Sequence, residues 1–200
     1  MARKARSDGE QNLQKVLDAA ELVFAQEGFS VPLALIAERA GVSRATIYRN
    51  FADREELAYA IFARNVVKIE EKAASLIGAD RPYFELLRFL IGIYVLNVGL
   101  TQALTHMALG MDKLALLRKR TVDASLPLLR KQKEDGTIRP DIAGDDLYLL
   151  MDMFDGALGR YPVAERAKRG ERVLQLAIGG LAGPALSGWS AAEPGHAAGA

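Results

Sequence analysis

The sequence predicts an all-α protein of about nine helices, and three observations support that fold class. Of its 200 residues, 28 are Leu and 32 are Ala, whereas Val, Ile and Thr together supply only 26. Good helix formers therefore outnumber β-formers by more than two to one. Apolar residues recur at spacings of three and four along most of the chain, which is the helical period. Glycine and proline cluster at a few points, where they are expected to separate one helix from the next.

The N-terminal quarter predicts one long helix followed by two short ones. Residues 11–27 form an apolar stripe that is expected to begin after a capping box of Ser7 and Glu10 and to end at Gly28. A short helix follows from residue 32 to the stop at Gly41. Ser43 is then expected to cap a third helix that ends near residue 51.

Five or six further helices are expected in the remainder. Asp53 opens a long helix to about residue 77, and glycine- and proline-rich breaks separate the others. These are expected over residues 81–109 (one long helix or two shorter ones), 112–134, 145–158 and 162–181. Residues 184–200, rich in Ala, Gly, Ser and Pro around Trp189, are expected to form a disordered tail.

Residues 89–111 contain no Asp, Glu, Lys or Arg and are long enough to span a bilayer. Polar side chains such as Asn97 and His106 lie in the middle of the segment, and Gly92, Gly99 and Gly110 interrupt it. A core helix accounts for that mixture better than a membrane span does. No membrane association is expected, and no secretory signal is recognised at the N-terminus.

The amino-acid composition excludes several classes of function for this chain. Half of the residues are apolar, 26% are charged and the formal net charge is +1, so a basic surface for nucleic acid would have to be local. The chain has no cysteine, which excludes thiolate chemistry and suits a reducing cytoplasm. It has only two histidines, His106 and His196, so no His-based metal site and no cofactor are expected. No phosphate loop, nucleophile elbow or His–carboxylate cluster is found, so an enzyme is not expected.

Residues 32–51 have the length and punctuation of a helix-turn-helix. Gly41 supplies the positive φ that the turn requires. If Ile47 and Phe51 pack inward, the outward face of the third helix holds two guanidiniums, a phenol and one small residue, a chemistry suited to the major groove. That face consists of Arg44, Ala45, Tyr48 and Arg49. The alternative is a solvated arginine face on an ordinary pair of short helices.

Basic residues flank this face on both sides and complete a stripe despite the low net charge. They are Arg3, Lys4, Arg6, Arg39 and Arg54.

Residues 16–57 resemble the N-terminal domain of the TetR family of transcriptional regulators. The family's motifs occur in order and at its spacing: Ala19-Ala20, Phe24, Gly28, Ile36-Ala37, Ala40-Gly41-Val42-Ser43, Thr46-Ile47-Tyr48, Phe51 and Arg54-Glu55-Glu56-Leu57. By this resemblance the operator contacts come from Ser43, Arg44, Ala45, Tyr48, Arg49 and Asn50. Thr46 would reach a phosphate, and Arg54 occupies the phosphate-contact position at the start of the fourth helix.

The sequence departs from the family pattern at two places. Many members carry two threonines where this chain has Val31-Pro32, and Ala34 occupies a position that reads a base in some members. Neither site offers a side-chain hydrogen bond here. Base recognition is therefore expected to depend on the third helix.

The rest of the chain resembles the family in size, in helix count and in the phrase from Gly136 to Asp141. The resemblance divides the chain into a DNA-binding domain (8–56) and an effector-binding and dimerisation domain (57–183). It implies three partners: double-stranded DNA with a palindromic operator, a small effector, and a second copy of the chain.

An apolar effector pocket is expected among methionine and aromatic residues of the second domain. Its candidate apolar wall consists of Tyr94, Met107, Met111, Met151, Met153 and Phe154, and its candidate polar groups are Asn97, Gln102, Thr105 and His106. A plain hydrophobic core is the alternative for each of these residues. For Asp152 and Asp155 the preferred interpretation is a pair of solvated carboxylates, and contact with a ligand in the pocket is the alternative.

The last helix presents Leu174, Ile178 and Leu181 on one side, and Leu150 lies on the helix before it. By the family resemblance, these side chains are expected to pack across a twofold axis as half of a four-helix bundle. An intramolecular core would give the same pattern.

The sequence as a whole favours a cytoplasmic, homodimeric, ligand-responsive repressor that a small hydrophobic effector releases from its operator. The alternative is a DNA-binding activator or architectural protein without an effector. A fully packed core with no cavity would favour this alternative.

Overall fold

Eight helices make up the part of the chain that the computed structural model describes, which is residues 2–105 and 111–183, with side chains for 9–101 and 112–183. The helices are α1 (Ala2–Glu27), α2 (Leu33–Ala40), α3 (Arg44–Asn50), α4 (Arg54–Ser75), α5 (Pro82–Thr105), α6 (Met111–Glu134), α7 (Asp146–Leu158) and α8 (Val163–Leu181). The all-α prediction is confirmed, and each expected break separates two helices. The predicted tail, residues 184–200, lies outside the described residues.

The first helix begins earlier than expected. A start after a Ser7 cap is wrong, because α1 runs from Ala2 and residue 7 lies inside it. Ala, Arg and Lys are among the best helix formers, so the segment before residue 7 can continue the helix without a capping residue. Val16, Ala20 and Val23 lie on the buried face of α1, as the apolar stripe predicts.

Two local caps fix the geometry of the turn between α2 and α3. Gly41 has a φ of 66°, in the left-handed region, and ends α2. Two residues later the Ser43 hydroxyl accepts a hydrogen bond from the backbone N–H of Thr46 at 3.1 Å and so begins α3. Both features agree with the sequence prediction.

Helix α4 contributes to two hydrophobic cores. Near its start Leu57 and Ile61 are fully buried among the apolar residues of α1, α2 and α3. Two to three turns later Ile69 and Ala73 are buried in the C-terminal core. The expected domain boundary between residues 56 and 57 therefore falls inside a continuous helix.

Helix α5 is the centre of the C-terminal half, and it packs against α1, α4, α6, α7 and α8. Its segment Pro82–Thr101 is apolar and long enough to cross a membrane, and 56% of it is buried inside the protein. That burial agrees with the interpretation of the segment as a core helix. A short antiparallel bridge between Ile138 and Ala182 joins the end of α8 to the loop after α6.

The Gly41 turn leads to a stability prediction. Gly41→Ala is expected to lower the free energy of unfolding by about 1 kcal/mol, because a Cβ disfavours the left-handed region. No described atom lies within 4 Å of that Cβ position, so the cost is conformational rather than steric.

The control is Gly92→Ala in α5, whose added Cβ also meets nothing within 4 Å and whose φ is not positive. This substitution should leave the unfolding free energy unchanged or raise it by up to about 1 kcal/mol. Chemical denaturation of both variants measures the difference. Equal effects would contradict the assignment of Gly41 to a strained turn.

Candidate nucleic-acid interface and internal cavity

The outward face of α3 carries the predicted recognition residues. Ile47 and Phe51 are buried, at 0% and 5% exposure, and anchor the helix to the N-terminal core. Since they occupy the inner side, the opposite side faces solvent and holds Arg44, Ala45, Tyr48 and Arg49, all exposed. Tyr48 is 55% exposed although it is a large aromatic residue.

The positive charge on this face is not neutralised within the protein. Arg44 and Arg49 make no hydrogen bond or ion pair with any residue whose side chain the structure describes. Arg39, in contrast, forms an ion pair with Glu27 at 3.1 Å. The predicted contributions of Arg3, Lys4 and Arg6 lie outside the described side chains. Two free guanidiniums on one exposed helix face suit bidentate contacts to guanine or to phosphate.

Three other predicted contact residues are engaged with one another. The hydroxyls of Ser43 and Thr46 lie 2.8 Å apart, and the Asn50 amide Nδ2 donates to the Thr46 carbonyl at 2.7 Å. These bonds organise the start and the length of the seven-residue helix α3. The predicted DNA contacts of Ser43, Thr46 and Asn50 stay predictions.

Arg54 has a structural role that sequence reasoning missed. Its Nη1 donates to the carbonyl oxygen of Ser30 at 2.6 Å, and its guanidinium lies 5.7 Å from the centre of the Phe29 ring. The side chain therefore holds the loop between α1 and α2 against the start of α4. No simple sequence signal joins two residues 24 positions apart, because the contact depends on the packing of α1 and α4.

The C-terminal half contains a small, only partly enclosed cavity between α4, α5, α6 and α7. Three of the predicted pocket residues, Tyr94, Asn97 and Met151, line it together. Its volume is about 30 Å³, enough for one or two water molecules but far below the roughly 300–1,000 Å³ of a drug-sized site. The described residues thus form the polar and apolar wall of a site that is closed to a ligand of that size.

The other predicted pocket residues have different outcomes. Phe154 is fully buried and packs edge-on against Tyr94 at 5.8 Å, one layer behind the cavity wall. Met153 is 52% exposed, so its assignment to the pocket is wrong. It lies on the solvent side of α7, two residues from inward-facing Met151. Gln102, Thr105, His106, Met107 and Met111 lie outside the described side chains.

Sequence reasoning missed the walls contributed by α4 and α6. Phe62, Asn65 and Val66 come from α4, and Leu117, Arg118 and Thr121 from α6. One signal was present: Asn65 falls at the four-residue spacing of Leu57, Ile61 and Ile69, so a polar side chain interrupts an otherwise apolar stripe. Such an interruption on a buried face indicates a hydrogen-bonded or ligand-contacting group.

The two carboxylates of α7 differ in their surroundings. Asp152 is exposed and accepts a hydrogen bond from Arg118 at 2.6 Å, as expected of a solvated carboxylate. Asp155 is half-buried, and its Oδ1 has no hydrogen-bond partner among the described residues, so the solvated interpretation is wrong for this residue. Burial raises the pKa of the Asp155 carboxyl to about 7, against the opposing attraction of Arg118. Burial, with Asp155 nearby, also raises the pKa of the Tyr94 phenol far above its usual range.

The four residues predicted for the dimer interface lie inside the core of the single chain. Leu150, Leu174, Ile178 and Leu181 are between 0% and 7% exposed. The prediction is wrong, and the intramolecular alternative describes these residues, because α7 and α8 turn their regular apolar stripes toward α5. The outer surface of α7 and α8 instead exposes three large apolar side chains, Leu149, Met153 and Leu176. These three residues are called the outer patch below.

Comparisons with known proteins match two separate parts of the chain. Residues 16–61 match the family model described as bacterial regulatory proteins, tetR family, and residues 79–183 match the C-terminal domain of SbtR-like transcriptional regulators. Among sequences, the regulator SrpR of Pseudomonas putida is 27% identical over 128 residues, which is 62% of this chain and 59% of SrpR. AcrR of Shigella flexneri is 41% identical over 58 residues, or 28% of this chain and 27% of AcrR.

Solved structures extend the likeness to the whole fold. A TetR transcriptional regulator from Streptomyces coelicolor superposes with a TM-score of 0.68 at 28% identity, covering 86% of this chain and 99% of that one. A TetR regulator from Mycobacterium vanbaalenii gives the same TM-score at 26% identity and covers 89% and 99%. These relatives are regulators of transcription and not enzymes.

The exposed face of α3 leads to a prediction about DNA recognition. Arg49→Ala is expected to lower affinity for a specific duplex by about tenfold to a hundredfold and to relax the preference at one base position, as the loss of a bidentate base contact does. Arg54→Ala should weaken all duplexes alike, because its cation lies at the edge of the face and holds the α1–α2 loop.

Fluorescence titrations with duplexes selected from a random library measure both effects. Lys168→Ala, which removes an exposed cation from distant α8, is the control and should bind as the wild type does. Unchanged affinity in both Arg49→Ala and Arg54→Ala would contradict the assigned face.

The Asp155 carboxyl leads to a prediction about pH. The folded chain holds this proton up to about pH 7, whereas an unfolded aspartate loses it near 3.8. Stability should therefore fall as pH rises from about 4 to about 7. Asp155→Asn should remove that decline and raise the free energy of unfolding at pH 8 by at most a few kcal/mol.

Thermal unfolding at pH 5 and pH 8 tests this effect. Asp152→Asn, which removes the exposed carboxylate, should give no such gain at pH 8. A pH profile for Asp155→Asn that matches the wild type would show that this carboxyl is not perturbed.

Proposed function

The chain belongs to the TetR family of bacterial transcriptional regulators, and from this premise we propose that it is a homodimeric repressor with a palindromic operator. A small hydrophobic effector, bound in the C-terminal half, releases the repressor from DNA. One observation carries the DNA-binding part: an exposed helix face with two free guanidiniums, positioned by caps at both ends of the α2–α3 turn.

The outer patch supports a homodimer built on α7 and α8. Leu149, Met153 and Leu176 are each more than half exposed, an arrangement that costs less when a second copy covers them. Gly156, Gly179 and Gly180 lie on the same two helices with no atom near their Cβ positions. Small residues of this kind allow two helix pairs to approach closely, and a twofold axis there would place two copies of α3 on a palindrome.

The effector must bind by opening the small cavity. Its wall is mostly apolar and includes Tyr94, Ile69 and Met151, so it suits a hydrophobic molecule. Release from DNA requires the effector to bind the released state more tightly than the operator-binding state, since equal affinity shifts nothing.

A DNA-binding activator or architectural protein without an effector is the second candidate. The small volume of the cavity, about 30 Å³, favours it. The Oδ1 atom of Asn97 favours the effector, because it is a buried acceptor without a partner among the described residues and belongs to a residue that lines the cavity.

The experiment has two stages. Duplexes selected from a random library by the purified chain should converge on a palindrome, and that palindrome placed over a reporter promoter should lower expression when the chain is present. Convergence on no sequence would refute the proposal, and raised expression would favour an activator.

Dimerisation has its own prediction. Leu176→Glu should give monomers, because a buried and unpaired carboxylate at an interface costs several kcal/mol. Operator affinity should fall with it, since each half-site is then bound alone.

Sedimentation at micromolar concentration measures the association state. The control is Ile77→Glu, at an apolar residue that is 71% exposed just after α4 and on neither α7 nor α8, and it should remain dimeric. A wild-type monomer, or a dimeric Leu176→Glu variant, would contradict the interface.

A further inference from the structure

A buried polar cluster joins the DNA-binding half to the effector-binding half. The Glu21 carboxylate of α1 accepts hydrogen bonds from Asn65 of α4 at 3.0 Å, from Asn97 of α5 at 2.6 Å, and from Arg64 of α4 at 2.7 Å. The Glu21 and Arg64 side chains are only 12% and 10% exposed. These four residues are called the Glu21 junction.

The orientation of the Asn97 amide is determined by its surroundings. Its Nδ2 lies within hydrogen-bond distance of two acceptors, Glu21 at 2.6 Å and the Ile93 carbonyl at 3.0 Å. Only the donor end of the amide satisfies both. The opposite atom, Oδ1, is therefore an acceptor, and it is buried without a partner among the described residues.

The Glu21 junction lies directly on the small cavity, since Asn65 and Asn97 both line it. A buried acceptor without a partner costs free energy, and a hydrogen-bond donor that reaches Asn97 Oδ1 as the cavity opens would recover it. The remaining wall is largely apolar. The cavity chemistry therefore fits a small apolar molecule that carries one hydroxyl or N–H group.

Two of the three hydrogen bonds to Glu21 connect α1 to α4, and the third connects α1 to α5. Asn65 and Arg64 tie α1 to α4, which runs directly into the DNA-binding core through Leu57. Asn97 ties the same carboxylate to α5, at the centre of the C-terminal core. The Glu21–Asn97 bond thus connects the unit formed by α1 and α4 to the effector-binding half.

A cavity of about 30 Å³ can admit an effector only if the helices that line it move apart. Movement of α4 away from α5 pulls Asn65 and Asn97 apart, and one carboxylate cannot follow both. An effector in the cavity is therefore incompatible with the arrangement in which Glu21 bonds both asparagines.

We propose that the Glu21–Asn97 bond is the switch between the cavity and the DNA-binding half, and that the effector is an apolar molecule whose single donor binds Asn97 Oδ1. The inference rests on the proposed repressor function. The closed, bonded arrangement binds the operator, and occupation of the cavity breaks the bond and releases α1 and α4.

The ligand class is tested with phenol and toluene, which differ by a hydroxyl in place of a methyl. Phenol should raise the melting temperature of the wild type more than toluene does at equal free concentration. The difference should disappear in Asn97→Leu, which removes the free acceptor. Equal shifts, no shift with either compound, or a preference that persists in Asn97→Leu would overturn this assignment.

The switch is tested with a substitution whose larger side chain fills the cavity as a bound effector would. Val66→Phe introduces an aromatic ring into a cavity too small for it and should lower operator affinity at least tenfold. Val67→Phe adds the same ring at the neighbouring position of α4, which is 43% exposed and lies outside the cavity wall, and it should stay within twofold of the wild type.

In the Asn97→Leu background the bond is already broken, so Val66→Phe should lower affinity by no more than about threefold. Glu21→Leu provides a second background with the same expectation, should Asn97→Leu fail to fold. Asp18→Asn is the matched control, because Asp18 bonds Arg64 from the same helix at 2.6 Å without touching Asn97. In that background the full tenfold effect should persist.

The outcomes separate the two proposals. Specific operator binding with the same Val66→Phe effect in every background would overturn the switch and leave the repressor function intact. Failure of the wild type to bind any selected duplex would instead refute the repressor function itself.

Discussion

Helix α4 must fit two hydrophobic cores at once, and the rest of the structure depends on that constraint. Its first turns bury Leu57 and Ile61 against the helices that support α3, and its later turns bury Ile69 and Ala73 against α5. A 22-residue helix transmits rotation and translation along its length, because packed helices have discrete arrangements rather than a continuous range. The position of the recognition face is therefore coupled to the packing of the C-terminal half.

The polar residues between the two cores make that coupling specific. Apolar contacts are non-directional, so they do not determine which polar groups of α1, α4 and α5 meet. A buried carboxylate that accepts three hydrogen bonds favours the arrangement that supplies all three, because loss of a donor costs free energy. The Glu21 junction is charge-assisted through Arg64 and so contributes more than neutral hydrogen bonds would. Its place beside the cavity adds a polar connection to the apolar packing of α1 and α4 on α5.

Local signals made the helix-turn-helix predictable from the sequence, and tertiary packing limited the prediction elsewhere. Gly41 and Ser43 act within a few residues of their own positions, so their roles can be inferred from spacing alone. The apolar stripe of α8 was equally clear, yet periodicity shows only that a face is covered and not what covers it. Leu174 and Ile178 therefore suggested a dimer although α5 covers them within one chain. The bond from Arg54 to Ser30 joins distant parts of the sequence, and no local pattern reveals it.

The central claim is that α3 enters the major groove of DNA. The chain contains no cysteine, so Ala45→Cys provides a single attachment point for an iron chelate that cleaves nearby DNA, and Ile77→Cys provides a distant control. The account predicts that the chelate at position 45 cuts a selected duplex at two symmetric places whose centres lie one helical turn, or a multiple of it, apart, in the major groove. The chelate at position 77 should leave those places intact. Cleavage from position 77 but not from position 45, or uniform cleavage along the duplex, would contradict it.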